Sequence, residues 1–111
     1  MSPAQSKETR YVALLTDLDQ VATRFVVYSG QVTEFSVQYD ALIDERWRTV
    51  TRYDSVHGGP HRHIYQLKGI GFRVEFPYND LDIALTEAQQ QIKKNFRAMR
   101  ENYILSRRGG V

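Results

Sequence analysis

Cysteine is absent from the chain, so neither a disulfide frame nor a thiolate metal site is available. Zinc fingers are excluded, and any metal would have to be held by histidine, carboxylate or water. No apolar run approaches the roughly 20 residues that cross a bilayer, and the opening residues MSPAQSKETR lack the basic and apolar regions of a secretory signal. The expected setting is therefore cytoplasmic, with no membrane partner. Internal repeats and low-complexity segments are lacking as well. The net charge is only +2, too small to argue for nucleic acid by itself.

What is present fits one ordinary domain. A length of 111 residues allows a single core without staples and is too short for two independent ones. A hydrophobic fraction of 41% and a charged fraction of 25% belong to a globular protein and not to a disordered one. Residues 1–9 are small and polar and read as a flexible N-terminal tail. Residues 10–105 carry the domain, and 106–111 read as a flexible C-terminal tail.

Tyr11 to Leu15 is short and apolar, and is read as a strand in preference to a helical turn. Arg24–Tyr28 and Val32–Ala41 are rich in β-branched and aromatic residues, with Ser29-Gly30 supplying hairpin-turn chemistry between them. Phe35, Val37 and Tyr39 alternate on one face. The run RWRTVTRYD alternates again, which directs Trp47, Thr49, Thr51 and Tyr53 one way and Arg46, Arg48, Val50 and Arg52 the other. Gly58-Gly59-Pro60 breaks that ladder; further strands are expected over about 61–68 and 72–76. Leu81, Leu85, Ala88, Ile92, Phe96, Met99 and Tyr103 then recur at spacings of three and four, forming one helical stripe. Asn79 or Asp80 is placed to cap that helix, whose cations lie in its later turns. The fold class expected is α+β: an antiparallel meander of about four to six strands packed against a long C-terminal α-helix.

Histidine is scarce, and all three copies, His57, His61 and His63, fall within seven positions around the glycine turn. If His61 and His63 start a strand, the period of two puts both rings on one face, about 6–7 Å apart at the backbone. The surroundings are basic. Between Arg46 and Arg73 stand six cations and a single anion, Asp54, a surplus that favours anionic partners.

Three chemistries fit these residues. In the first, RNA is cleaved without metal: one histidine takes the 2′-hydroxyl proton, another protonates the leaving oxygen, and Arg48, Arg52 and Arg62 stabilise the phosphate. Asp54 would orient a ring, and Tyr53 and Tyr65 would stack a base. In the second, a divalent metal sits on His57, His61 and His63, with Asp54 as ligand or outer partner. In the third, the histidines only shape a polar turn, the arginines are a solvated strand face and the tyrosines are packing residues, as in a non-catalytic protein- or RNA-interaction module.

Arg52-Tyr53-Asp54 followed by His61-Arg62-His63 resembles the signature of the small TumE-type toxins of prokaryotic toxin–antitoxin pairs. The matched positions are these six, with His57-Gly58 similar to a histidine-glycine pair in some relatives. The Gly58-Gly59-Pro60 turn departs from the many such sequences that carry an acidic residue just before the first histidine of the motif. What the resemblance implies is a growth-inhibiting toxin that acts on RNA and is silenced by a cognate antitoxin protein; the reading adopted with it is a small endoribonuclease that cleaves without metal or other cofactor. The catalytic residues expected are His57, His61, His63 and Asp54; those binding substrate are Arg48, Arg52, Arg62, Tyr53 and Tyr65. Open strand edges also suggest a homodimer.

Overall fold

The computed structural model describes residues 5–56, 59–68 and 71–108. Six strands form one antiparallel sheet in sequential order: β1 (Lys7–Thr16), β2 (Asp19–Tyr28), β3 (Gln31–Ile43), β4 (Arg46–Asp54), β5 (His61–Ile64) and β6 (Phe72–Glu75). A single helix, α1 (Leu81–Leu105), follows and is continued by the 3-10 turn Ser106–Arg108. The architecture is the α+β meander and lid expected from the alternation and the stripe. No helix among the described residues is long and apolar enough to cross a membrane.

Two-residue turns with positive φ join the long central strands, at Ser29-Gly30 and at Asp44-Glu45, the conformation that matches the twist of a hairpin. The core lies between the sheet and α1. Phe35, Val37 and Tyr39 of β3 are fully buried there, against Ala84, Ala88, Ile92 and Phe96 of the helix. Asp80 caps α1, its Oδ1 accepting from the Asp82 N–H at 2.9 Å and the Ile83 N–H at 3.3 Å. The other end carries no basic residue in its last turn. There the Ser106 hydroxyl donates to the Tyr103 carbonyl.

Pairing reaches beyond the expected limits at the start of the chain. β1 begins at Lys7, inside the segment read as a tail, with Lys7 opposite Val27. The stretch Lys7-Glu8-Thr9-Arg10 has no apolar alternation to advertise a strand. It is recruited by β2, and an ion pair from Arg24 to Glu8 at 2.9 Å marks the contact. At the other end Ser106 accepts the Leu67 N–H at 2.8 Å and Arg107 pairs with Asp44 at 2.6 Å, so the helix terminus is tied to two loops. Strand β5 stops at Ile64 and not near Lys68, because the chain turns off the ladder to make that contact. The Tyr65 N–H is taken by the Val50 carbonyl at 3.0 Å.

The strict alternation expected of β4 does not hold. Tyr39 pairs with Thr51 but Asp40 pairs with Thr49, leaving Val50 as an extra residue. Such a bulge puts two neighbours on one side and reverses the phase of all that precedes them. Val50 and Thr51 are both buried. Arg48, opposite the buried Ala41, therefore lies on the helix side, and Arg52, opposite Gln38, lies on the open side. The four residues expected to share a face are divided.

Candidate functional site

Cross-strand register decides which side chains can meet. Asp54 pairs with His61 and Arg52 with His63, while His61 pairs with Glu75 and His63 with Arg73. Directly paired residues point to the same side of a sheet, so all six occupy the face away from α1. Tyr53 and its partner Arg62 occupy the helix side. The Tyr53 hydroxyl donates to Gln91 Oε1 of α1 at 2.8 Å, and the Arg62 guanidinium lies 5.3 Å over the Tyr53 ring while its Nε donates to the Thr51 hydroxyl at 2.9 Å.

The open side holds a converging cluster. Asp54 Oδ1 is 2.9 Å from His61 Nε2, and Asp54 Oδ2 is 3.8 Å from His63 Nε2. The two Nε2 atoms are 3.0 Å apart, with the rings nearly perpendicular at 80°. Asp54 and His61 are almost fully buried, whereas 27% of the His63 side chain is exposed, so the cluster has one open side. Tyr65 stacks on His63 at 6.0 Å between ring centres. The carboxylate is held from behind by Arg52 Nε at 3.0 Å and by the Val56 N–H at 3.2 Å.

His61 Nδ1 lies 3.0 Å from the Gly59 carbonyl, which only accepts, and 3.3 Å from Arg73 Nη2, which only donates, so its two neighbours favour opposite tautomers. With the proton on Nδ1, His61 Nε2 is a lone pair directed at a carboxylate oxygen, a contact that a metal cation between them would relieve; with the proton on Nε2 the same contact is an N–H donating to Asp54 at 2.9 Å. Burial holds the His63 imidazole below its ordinary pKa, and Arg52, His61 and Arg73 act in the same sense against Asp54. His63 is thus kept neutral, the form in which imidazole binds a metal.

Ligands at about 2.0–2.2 Å from one ion stand about 2.8–3.1 Å from their neighbours in an octahedral centre and about 3.3–3.6 Å in a tetrahedral one. The contacts of 2.9 and 3.0 Å match the octahedral spacing, while the 3.8 Å from Asp54 Oδ2 to His63 Nε2 is wider. One carboxylate and two imidazole nitrogens, all within 4.8 Å of one another, are a set that fits a divalent ion with open positions left for water.

Of the residues singled out in the sequence, the structure brings together Asp54, His61, His63 and Arg52, with Tyr65 against the cluster. It separates Arg48, Arg62 and Tyr53, which face α1. The bulge turns Arg48 away, and simple alternation turns Arg62 and Tyr53 away from the neighbours that flank them. His57 lies outside the described residues. Arg73 went unnoticed as a site residue, because its place beside His63 follows from the β5–β6 register and from no local motif.

These features define an open-faced sheet-and-helix domain with a carboxylate–imidazole cluster on the uncovered side. The chain belongs to the family described as a domain of unknown function, DUF7718, whose model matches residues 4–108. No curated protein and no solved structure matches it.

Proposed function

We propose that the protein is a small phosphodiester-cleaving enzyme acting on RNA, with a divalent cation held by Asp54, His61 and His63. The observation that carries this reading is the convergence of three ligand atoms on one point, with the nitrogens 3.0 Å apart. Acid–base cleavage by His61 and His63 acting as a pair would place their rings on opposite sides of a phosphate. Nitrogens in direct contact leave no space for one, and Asp54 and His63 both meet His61 at the same nitrogen, so the ring is not a relay between them. When bound, the cation would supply a water of lowered pKa and neutralise phosphate charge. The chain's own part is to fix the ligands and to present cations on either side of His63, since Arg52 and Arg73 flank it in one cross-strand row. Anionic substrates are favoured there.

RNA as substrate, and an antitoxin protein as partner, rest on the likeness of Arg52-Tyr53-Asp54 and His61-Arg62-His63 to the TumE-type motif. The test incubates the purified chain with total RNA, with and without chelator, beside His61→Ala and His63→Ala. Cleavage that chelator and both substitutions abolish supports the reading. Cleavage indifferent to chelator returns the chemistry to the histidines alone. Intact RNA at high protein concentration makes the cluster part of a non-catalytic module. Growth inhibition on induced expression, relieved by the same substitutions, is an independent check on the toxin reading.

A further inference from the structure

The cluster has a neighbour that ligand binding does not use. A cavity of about 420 Å³ opens between the start of β5 and the loop joining β6 to α1, and its wall includes both His61 and Arg73. Whatever fills it lies against His61 and Arg73. The rest of the wall includes Pro60, Pro77 and Tyr78, with Glu75 and Asn79.

This wall is braced. The Phe76 N–H donates to the Pro60 carbonyl at 3.2 Å, and the Tyr78 N–H to the Phe76 carbonyl at 2.8 Å. The buried Phe76 ring is wedged between Tyr78 at 4.7 Å and Tyr53 at 4.9 Å, so the Tyr78 ring is anchored through one residue to the core. A fixed aromatic and two prolines offer flat apolar surface, while Glu75 and Asn79 offer hydrogen-bonding groups of both kinds. A flat heteroaromatic ring with a polar edge has the matching character. The volume is at the small end of the roughly 300–1,000 Å³ of ligand pockets, which suits one base with its sugar and not a helical duplex.

Resting on the reading of the centre as phosphodiester-cleaving, we propose that this cavity is a nucleobase subsite. The base stacks on Tyr78, Asn79 and Glu75 meet its polar edge, and Arg73 holds the phosphate that connects it to the Asp54–His61–His63 cluster. A larger cavity of about 810 Å³, between the β1–β2 turn and the C-terminal half of α1, shares no wall with the cluster and has no such role.

The test titrates the full chain with each of the four ribonucleoside 5′-monophosphates and with ribose 5-phosphate, in chelator so that the outcome is independent of metal. Base stacking predicts that at least one nucleotide binds about tenfold or more tightly than the sugar phosphate. Tyr78→Ala should remove that advantage and Asn79→Ala should reduce it; Asn79 is exposed, so its substitution leaves folding untouched. Equal binding of nucleotides and ribose 5-phosphate overturns the subsite, as does an advantage that survives both substitutions. Nucleotide binding without RNA cleavage would sink the catalytic reading alone, and cleavage without a base advantage would sink the subsite alone.

Discussion

His61 and His63 face each other through the same ring nitrogen, Nε2 to Nε2 at 3.0 Å, with the Asp54 carboxylate 2.9 Å from the first of them. Three ligand atoms crowd one point, a set that a metal ion between them would draw together.

The first expectation concerns metal alone. Cobalt(II) added to the purified chain should give visible absorption bands and release protons, and His61→Ala, His63→Ala and Asp54→Ala should each abolish the bands. Bands that persist unchanged in all three variants would place the ion elsewhere.

The division of arginines between the two faces makes a second. Arg52 supports the Asp54 carboxylate, and loss of such an outer partner typically costs 10–100-fold in metal affinity or activity. Arg52→Ala should fall by about that factor. Arg62→Ala should instead lower stability, through loss of its contacts to Tyr53 and Thr51, while activity per folded molecule is retained. Chemical denaturation beside cleavage rates separates the two effects.

Core packing supplies a third. Ile92 is fully buried at the centre of the helix stripe, and Ile92→Ala should cost about 2–5 kcal/mol in urea unfolding. Asp80→Ala, which leaves the first-turn N–H groups of α1 without their acceptor, should cost about 1 kcal/mol, and Asp80→Asn much less.

Alkaline behaviour gives a fourth. Burial pushes the Tyr39 and Tyr53 phenols above their ordinary value, with the Asp19 carboxylate adding to the effect on Tyr39. A native pKa above the unfolded one stabilises the fold fully below about pH 10, and that contribution is lost as pH rises through the native values. These two phenols should therefore ionise together with unfolding. The double variant Tyr39→Phe, Tyr53→Phe should lose part of the phenolate absorbance that accompanies the fall in circular dichroism; an absorbance step unchanged by the substitutions would contradict the assignment.

The helix was legible because seven apolar residues from Leu81 to Tyr103 repeat at three and four, and all of them pack towards the core. The hairpins were legible from Phe35, Val37 and Tyr39 and from turn residues such as Ser29-Gly30. What escaped the sequence was register. Val50 looks like any other member of an alternating run, and only its pairing shows it to be an added residue that reverses Arg48 against Arg52. The meeting of Asp54 with His61 spans seven residues and a turn whose geometry no local pattern states, and Arg73 comes within reach only through a third strand. Proximity in sequence also misled: Tyr53 and Arg62 adjoin the cluster residues along the chain yet point through the sheet to its other side.

Because the sheet has α1 on one side only, it divides the labour of the chain. Cohesion is drawn mainly from the covered surface, so exposed members of the polar row such as Arg73 and Glu75 can change at modest thermodynamic expense, whereas the nearly buried Asp54 and His61 cannot. A single scaffold of this design is therefore suited to diversify in chemistry while its architecture stays constant.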